Sequence, residues 1–453
     1  MAEATIDDVL GDAEARGLTH ANFGIFEVNG SFRSKRYNVR HLKKAMTEGI
    51  PWLAIPSGLD PTDGIIGSNT WANPELGFQD GVVLMDPTSA RAMPLDSEGN
   101  GMLLVGRFTG DVGKDCVRAL LEAELERLGG LGFDLYGGFE LEGTVLRETA
   151  ESARAKRSAE LELMPGYDRV YSFVNQTGQA DFIDELLSCS TAMGLPIDTI
   201  HAEFTNILEV GLEPASGARI ADNAGLYKAM AKLVAARHGG YMSFMARRSE
   251  ADQGCGAHIN VSLKSRKTGE SVFADPDGDY GLSEIGRQFL AGLVKYLPEL
   301  FLLLAPNLNS YKRFAPGLFT PLNNSWAINN KTVCLRLVNA TATSTRVEVR
   351  PAGADVCPHL GLLAVCLAGR LGIEEALELS APNEGNVWAA EETGAPPLPL
   401  EMGAAMEAFA ASRIARDALG ERFHSNYLGD RRHQVEAFSR VVTDWEVAMF
   451  SNL

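Results

Sequence analysis

A short segment near residue 350 alternates charged and apolar side chains, and it constrains the fold more than any other part of the chain. Arg346, Glu348 and Arg350 alternate with Val347 and Val349. Successive side chains of an extended strand point to opposite faces, so the valines face a core and the charged groups share the other face. A glutamate between two arginines is typical either of a solvated charge ladder or of a site for an anion and a cation together. The segment alone leaves both interpretations open.

The composition is that of an ordinary globular protein of 453 residues, long enough for two or more domains. The formal net charge of −18 argues against a nucleic-acid partner, because no excess of lysine and arginine is left to neutralise phosphates. The N-terminus is acidic, which predicts no signal peptide, and the longest apolar run, 360–368, predicts a buried helix and no membrane span. The six scattered cysteines are typical of reduced core residues, so we expect a cytoplasmic protein.

Strand-like and helix-like segments are mixed along the chain, which predicts an α+β fold. The β-rich region 1–112 has predicted strands at 24–28, 52–55 and 81–85. Further strands are predicted at 138–143, 241–247, 256–263, 333–338 and 345–350. Helices are predicted from about 113, over 222–238 and 283–304, behind Pro358, and over 401–420 and 430–449. The Pro- and Glu-rich stretch 383–400 predicts a surface connection.

A second predicted strand carries two carboxylates on one face. Glu140 and Glu142 are separated by one residue, so both point away from the face on which Phe139 and Leu141 enter the core. Adjacent carboxylates repel each other unless a cation or a proton lies between them. The alternative is a pair of exposed glutamates on an edge strand.

Two histidine segments extend this pattern. His258, Asn260 and Ser262 share one face of a strand behind a glycine-rich turn, and His201 stands two residues before Glu203. A lone histidine is more often a core residue than a ligand, but here several carboxylates and arginines accompany it. Mg²⁺ and Mn²⁺ prefer carboxylate oxygens, and arginine forks bind carboxylates and phosphates. The sequence therefore predicts a site for metal ions and a nucleotide's phosphates, although neither a Walker A motif nor a dinucleotide-binding glycine motif is present.

Five motifs occur in a fixed order along almost the whole chain. They are Phe-Glu-Leu-Glu at 139–142, His-Ala-Glu at 201–203, Gly-Cys-Gly-Ala-His at 254–258, Asn-Ser-Tyr-Lys-Arg at 309–313 and Arg-Val-Glu-Val-Arg at 346–350. In this set and order the chain resembles the glutamine synthetase superfamily. The resemblance implies an N-terminal β-grasp domain, 1–112, and a catalytic domain, 113–453, with an antiparallel half-barrel sheet. It also implies a homo-oligomer of two stacked hexameric rings, a dodecamer.

The resemblance implies a role for each motif residue. One Mg²⁺ or Mn²⁺ ion would be held by Glu142, Glu203 and Glu209, with Glu213 as the reserve for the third ligand. A second ion would be held by Glu140, His258 and Glu348. L-Glutamate would contact Gly254, Gly256, Arg313 and Arg350, and ATP would contact His201, Ser262, Arg336 and Arg346. The catalytic residues would be Arg313, Arg336, Lys331 and Phe319, and the reaction would proceed through γ-glutamyl phosphate.

One departure from the family pattern concerns the second substrate. In ammonia-using members the loop reads Pro-Gly-Tyr-Glu-Ala-Pro, and its glutamate helps to bind ammonium; here residues 316–321 read Pro-Gly-Leu-Phe-Thr-Pro. Phe319 replaces that glutamate, and a phenyl ring offers a cation only its weaker π face. The loop therefore predicts an organic amine, such as an alkylamine, a polyamine, ethanolamine or an aniline. The alternative is that Phe319 only packs and ammonia enters elsewhere.

Smaller departures affect the same pocket. No aspartate stands at the expected ammonium position within 64–71, and Asp63 is a distant candidate. The amine pocket is expected to include residues 68–76 of a neighbouring subunit, where Trp71 beside Phe319 would favour an apolar amine and Asp63 or Glu75 would favour a polyamine. Lys331 stands where an arginine is common, and Asn260 replaces a second histidine.

Two other functions stay open at this point. One is a glutamine synthetase that uses ammonia, and the other is a non-catalytic, ring-forming scaffold. The retained cluster of charged motif residues argues against the scaffold, because buried charge is costly to keep without a use.

Overall fold

The computed structural model describes residues 4–453 except 56–57, 67–70, 72, 97–98, 157–159, 165–168, 205–206 and 389–393, together with the side chain of Asn175. Ser68, at the start of the predicted amine-pocket segment, lies outside the described residues. Trp71 and Glu75 of the same segment are described.

The N-terminal part forms a six-stranded sheet in the order β2-β1-β6-β4-β3, with β5 paired to β6. The strands are β1 (His20–Phe26), β2 (Phe32–Asn38), β3 (Ile50–Leu53), β4 (Asp80–Met85), β5 (Arg91–Met93) and β6 (Gly101–Phe108). Strands β1 and β6 are parallel and the other pairs are antiparallel. Helices α1 (Ile6–Ala15) and α2 (Leu42–Thr47) accompany this sheet. Helix α1 was not predicted from the sequence, although a capping box between Thr5 and Asp8 marks its start.

A second sheet of nine strands carries residues of four of the five motifs, and the fifth, at 309–313, lies in a short 3-10 helix. The strands are β7 (Phe133–Leu146), β8 (Ile197–Ala202), β9 (Ile207–Leu212), β10 (Ala215–Ser216), β11 (Tyr241–Ser243), β12 (Ala257–Ser265), β13 (Trp326–Ile328), β14 (Leu335–Val338) and β15 (Arg346–Val349). Their order is β13-β14-β15-β12-β7-β9-β8, and β10 and β11 also pair with β7. The long strand β7 therefore links most of the motifs.

The remaining helices follow residue 109, and most of them pack against one of the two sheets or against one another. They are α3 (Gly110–Gly113), α4 (Val117–Gly130), α5 (Ala150–Ala155), α6 (Phe173–Thr177), α7 (Ala180–Ala192), α8 (Arg219–Arg237), α9 (Glu284–Leu300), α10 (Pro358–Glu374), α11 (Met402–Ala411), α12 (Arg413–Leu419), α13 (Glu421–Phe438) and α14 (Asp444–Phe450). The apolar run 360–368 lies in α10 and is buried, as predicted. Among the helices of the described residues, none combines the length and the apolar character that a membrane span needs.

One large core joins the two sheets. Phe26, Val28, Leu103 and Val105 from the N-terminal part pack in the same cluster as the interior of the second sheet. A smaller core covers the other face of the N-terminal sheet. Residue 112 lies between the two sheets along the chain, but residues of both sheets share one core. The domain boundary at this position therefore stays a prediction.

Most predicted elements are present, with three corrections. The strand predicted over 241–247 ends at Ser243, because the chain then turns away from β7. The predicted interruption of the tail at 421–429 is helical and belongs to α13. Leu233 follows Leu226 by seven positions, a spacing that predicts burial on the same face of the helix, but it is 46% exposed because it lies on the solvent side of α8. All six cysteines are buried free thiols, as predicted.

Candidate active site

The register of the second sheet aligns three predicted site residues across its strands. Glu142 on β7 lies opposite Glu209 on β9, and Glu209 lies opposite His201 on β8. Residues directly opposite each other in a sheet have their side chains on the same face. The fold therefore collects two carboxylates and an imidazole from three strands at one place.

A neighbouring set involves the other half of the sheet. Glu140 lies opposite His258, and Asn260 lies opposite Glu348, which in turn lies opposite Arg336. The apolar partners of these residues, such as Val347 and Val349, are fully buried on the other face. The alternation in the sequence thus predicted which side chains share the face, and the register decides which of them meet.

Glu140, His258 and Glu348 form a compact group. One ligand atom from each lies within 4.8 Å of the others. His258 Nδ1 is 3.3 Å from Glu140 Oε2 and 3.6 Å from Glu348 Oε1. Burial alone would raise the pKa of Glu140, but the hydrogen bond and charge of His258, the charge of Arg346 and the hydrogen bond from Asn260 together outweigh burial, and the pKa falls to about 2. Glu140 is therefore ionised and able to ligate a cation at neutral pH.

A second compact group consists of His201, Glu203 and Glu209. His201 Nε2 is 2.9 Å from Glu203 Oε1 and 3.8 Å from Glu209 Oε1. Burial and the nearby charges of Glu142 and Glu140 raise the pKa of Glu209 to about 9. A divalent cation among these oxygens would offset that repulsion, which fits the donor chemistry of both groups.

The second group differs in composition from the predicted one. His201, predicted to contact ATP, lies with the carboxylates, whereas Glu142 lies beside the group and its Oε2 accepts the Gly256 N–H at 2.6 Å. Of the two candidates for the third ligand, Glu209 belongs to the group. Glu213 is exposed just beyond the end of β9. Glu209 is therefore the candidate that the structure places at the site.

The charged face of β15 is buried. Glu348, 2% exposed, accepts hydrogen bonds from Arg336 Nη1 at 2.8 Å and from Arg350 Nη1. Burial acts to raise the pKa of Glu348, but His258 and Arg350 outweigh it and hold the pKa below its ordinary value. For Glu348 and Arg350 the solvated-ladder interpretation is wrong, because both side chains lie in the protein interior.

Arg313 is packed against the glycine-rich turn. It is 3% exposed and donates a hydrogen bond to the Pro351 carbonyl at 3.1 Å. Gly254 has a φ of +90°, and a Cβ there would lie 2.8 Å from the Ala246 carbonyl oxygen and 2.9 Å from Arg313 Cγ. A Cβ on Gly256 would lie 3.1 Å from Arg313 Nη2. Both glycines therefore give Arg313 the room to lie beside the turn.

Most of the predicted residues line a cavity of about 430 Å³. They are Glu140, Glu142, His201, Glu203, Glu209, Gly254, His258, Arg313, Phe319, Lys331, Arg336, Glu348 and Arg350. We call this the first cavity. A second cavity, of about 350 Å³, shares Glu140 and Thr199 with it and is lined by Ser262 and Arg346. The four predicted ATP-binding residues are thus divided, since His201 and Arg336 line the first cavity.

Asn260 connects the two cavities. Its Nδ2 donates to Glu140 Oε1 at 3.1 Å, and its Oδ1 accepts from Arg346 Nε at 2.9 Å. The residue that replaces a histidine of the family pattern therefore joins the arginine of the second cavity to a carboxylate of the first.

Phe319 lies at the first cavity and is 44% exposed. Its ring meets that of Trp388 edge-on, with centroids 4.9 Å apart. Within this chain Trp71 does not reach Phe319, because its indole N–H donates to Asp115 Oδ2 at 2.6 Å and the Arg422 guanidinium lies 4.6 Å from its ring. Asp63 forms an ion pair with Arg33 at 2.5 Å, in the N-terminal part of the chain.

Three further residues at the site were not predicted from the sequence. Tyr171 stacks edge-on to His201 at 4.8 Å, Gln253 accepts the Phe319 backbone N–H at 3.2 Å, and Trp388 contacts the Phe319 ring. None belongs to a motif. Tyr171 and Trp388 lie in loops whose position depends on tertiary contacts, so only Gln253, next to the glycine-rich turn, carried a local signal.

Residues 114–450 match the glutamine synthetase catalytic domain. The chain belongs to the glutamine synthetase family. It is therefore an ATP-dependent ligase that forms carbon–nitrogen bonds. The predictions of the superfamily, of the fold class and of the enzyme class are confirmed.

Several family members are similar to this chain over nearly their full length. The γ-glutamylethanolamide synthetase of Streptomyces coelicolor is 31% identical over 430 residues, which are 93% of this chain and 90% of that protein. The glutamate–isopropylamine ligase of a Pseudomonas species is 27% identical over 443 residues, 97% of this chain and 96% of that protein. A solved glutamine synthase homologue is 25% identical, with a TM-score of 0.80 over 93% of this chain and 95% of that one. Glutamine synthetases of other organisms also match.

Enzymes of this family use ATP and divalent metal ions. Among the residues that the structure describes, the two Glu/His groups on the second sheet have donor chemistry that fits such ions.

Proposed function

We propose that this member of the glutamine synthetase family joins the γ-carboxylate of L-glutamate to an organic amine. The observation that carries the proposal is that the Phe319 side chain lines the first cavity. By resemblance, ammonia-using members have a glutamate here, and this side chain lines the first cavity beside Arg350, whose guanidinium carbon is 5.8 Å from the ring. A ring cannot accept a hydrogen bond from ammonium as a carboxylate does, whereas it packs well against an alkyl or aryl group.

Arg313 and Arg350 are the proposed binding groups for the carboxylates of glutamate. Both are 3% exposed at the first cavity, and both have an Nε that lacks a hydrogen-bond partner among the described residues. A buried guanidinium with a free donor is well suited to bind a carboxylate. Burial lowers the pKa of Arg313, so an anionic partner would also recover part of its desolvation cost.

Mg²⁺ or Mn²⁺ would be held by Glu140, His258 and Glu348 and by the neighbouring group of His201, Glu203 and Glu209. When bound, such ions neutralise charge on the phosphates of ATP and on the phosphoryl group in transfer. Around them Asn260 fixes Glu140, and Arg336 and Arg350 fix Glu348.

The proposed reaction has two steps. An oxygen of the γ-carboxylate forms a bond to the γ-phosphorus of ATP while the bond to the bridging oxygen breaks and ADP leaves. The amine nitrogen then bonds to the γ-carbon, the carbon–oxygen bond to phosphate breaks, and the nitrogen loses a proton. In this scheme Arg336 and Arg346 offset charge on phosphate oxygens, and Gly254 and Gly256 give the substrate close access to the backbone.

Glutamine synthesis from ammonia is the second candidate, because glutamine synthetases are also among the relatives. A non-catalytic scaffold would have no use for a buried Glu348 between two arginines, whose burial costs free energy. The scaffold alternative is therefore set aside, in agreement with the ligase class of the family.

The test is phosphate release from ATP at fixed glutamate with Mg²⁺ or Mn²⁺, across ammonia, alkylamines, ethanolamine, polyamines and anilines. Omission of glutamate, omission of the amine and chelation of the metal are the controls. We expect release that needs all components and is fastest with an organic amine. Fast turnover with ammonia and none with any organic amine would contradict the proposal.

The stacked hexameric assembly is proposed as well. Helix α14 carries a group of large apolar side chains that this chain alone leaves exposed, namely Trp445, Val447, Met449 and Phe450. Such a surface is typical of an interface with another subunit.

A further inference from the structure

The carboxylates of the first cavity already have partners. Glu140 pairs with His258, Glu203 with His201, and Glu348 with Arg336 and Arg350. Glu142 accepts the Gly256 N–H, and Glu209 lies 3.8 Å from His201. Glu140, Glu348, Glu203 and Glu209 are also the proposed metal ligands, so we expect bound cations to occupy these described lining carboxylates in place of the second ammonium group of a diamine.

The rest of the lining includes uncharged, mostly apolar side chains. Tyr171, Phe204 and Phe319 line the first cavity and are 59%, 50% and 44% exposed. Val170 and Ile207 line it as well. Exposed rings beside a polar reaction centre offer a surface that gains free energy when an apolar group covers it.

Three contacts hold Phe319 in this lining, one through its backbone and two through its ring. Its backbone N–H donates to Gln253 Oε1 at 3.2 Å, and the Arg350 guanidinium lies 5.8 Å from its ring. The ring also meets Trp388 at a centroid distance of 4.9 Å and an interplanar angle of 74°, the edge-to-face arrangement that aromatic pairs prefer. The ring therefore has a defined position although almost half of its surface is exposed.

Trp388 is itself anchored. Its backbone N–H donates to Asn386 Oδ1 at 3.1 Å, and the preceding Val387 is 3% exposed in a small core cluster with Ala327 and Val333. Trp388 does not line the first cavity, so it acts on the lining through Phe319.

We propose that the acceptor is a primary amine with an apolar body and no second cationic group, and that Trp388 is the positioning residue that holds Phe319 against that body. This inference rests on the proposed ligase function and narrows its substrate class. The similar proteins do not decide the class, since the relatives include both a glutamate–isopropylamine ligase and a γ-glutamylputrescine synthetase.

The first test compares matched nucleophiles with the full-length enzyme. Butylamine and putrescine have the same four-carbon chain and differ by one amino group, and propylamine and ethanolamine differ by a methyl in place of a hydroxyl. Hydroxylamine, small and without an apolar body, reports the ligase chemistry alone. We expect kcat/KM at least about tenfold higher for butylamine than for putrescine, and higher for propylamine than for ethanolamine.

Equal or reversed preferences within the pairs would overturn the inference. Turnover of hydroxylamine without turnover of either alkylamine would overturn it too, while leaving the ligase chemistry intact. If no nucleophile, hydroxylamine included, supports phosphate release, the proposed function itself fails.

The second test concerns Trp388. In Trp388→Ala we expect the KM for butylamine to rise about tenfold, while the KM for glutamate and the rate with hydroxylamine change less than about twofold. Trp388→Phe keeps an aromatic edge and should restore most of the loss. The matched control is Phe173→Ala, which removes a ring that is 80% exposed and does not line the first cavity. An equal loss with hydroxylamine and butylamine, or no recovery in Trp388→Phe, would contradict the positioning role.

Discussion

Glu142 and Glu209 lie directly opposite each other on the antiparallel strands β7 and β9. Burial, together with the charges of Glu142 and Glu140, raises the pKa of Glu209 to about 9. The sheet register thus creates a repulsion that a proton relieves in the metal-free protein and that a divalent cation would relieve in the working enzyme.

The first prediction follows from that raised pKa. The folded protein keeps the proton on Glu209 up to a pH of about 9, whereas the unfolded chain releases it near 4.5, so folding stability is lost as the pH rises through this interval. We expect the melting temperature of the metal-free protein to fall by a few degrees relative to that of Glu209→Gln between those pH values. Thermal denaturation with a chelator measures the difference.

Saturating Mg²⁺ or Mn²⁺ is the control for this prediction. Binding of the cation to the ionised carboxylate should stabilise the parent protein more than Glu209→Gln and remove the pH dependence. Parallel melting curves for the two proteins at every pH, with or without the metal, would refute the assignment.

The second prediction concerns Glu348. Replacement by alanine would leave Arg350 and Arg336 without their anion and would destabilise the protein by about 3–5 kcal/mol, so the informative change is Glu348→Gln. This variant keeps the shape of the side chain but loses its charge, and we expect phosphate release to fall about a hundredfold and metal affinity to weaken. Phosphate assays and metal titration by calorimetry measure both.

Glu375→Gln is the matched control for Glu348. Glu375 pairs with Lys295 at 2.7 Å on the surface, away from both cavities. It should keep full activity, because an exposed ion pair contributes little. Full activity in Glu348→Gln as well would show that Glu348 has no part in the reaction.

The third prediction reverses the departure at Phe319. Phe319→Glu restores a carboxylate at the first cavity, where it can accept hydrogen bonds from ammonium. A carboxylate packs less favourably than a phenyl ring against the apolar body of an organic amine. We expect the kcat/KM for ammonia to rise about tenfold and that for butylamine to fall by a similar factor. Phe319→Leu, which removes the ring without adding charge, should lower the butylamine value alone. An unchanged ratio in Phe319→Glu would mean that this side chain does not contact the amine.

The fourth prediction concerns assembly. We expect a large ring-based oligomer in solution, with a sedimentation velocity consistent with a dodecamer. Trp445→Asp places a charge on the exposed apolar side of α14, where Trp445 is 61% exposed, and should shift the distribution to smaller species. A monomer for the parent protein, or an unchanged distribution for the variant, would contradict the proposal.

The sequence predicted which residue types lie on the charged face of the second sheet, but it did not predict which of these residues become neighbours. Alternation at 139–142 and 346–350 is a local property of a strand, so the burial of Phe139, Leu141, Val347 and Val349 could be predicted from it. Which charged residues become neighbours depends on the pairing of strands distant in the chain. The opposition of Glu142 and Glu209, and the place of His201 beside Glu209, follow from that register and from no local signal.

The contacts of Phe319 were beyond sequence analysis for a related reason. Trp388 follows it by 69 positions, in a stretch whose Pro- and Glu-rich composition predicts only a surface connection. An aromatic contact between two loops leaves no periodic pattern, so Trp71 was as good a candidate from the sequence as Trp388. The missed helix α1 is different, because its capping box at Thr5 was a readable local signal.

The most direct test of the central claim is a competition between two acceptors. Enzyme, ATP, Mg²⁺ and glutamate are incubated with ammonia and butylamine at equal concentrations, and the products are quantified by mass spectrometry. If Phe319 provides an apolar wall in place of the ammonium-binding carboxylate, γ-glutamylbutylamide should exceed glutamine at least about tenfold. A product mixture in which glutamine predominates would contradict the account.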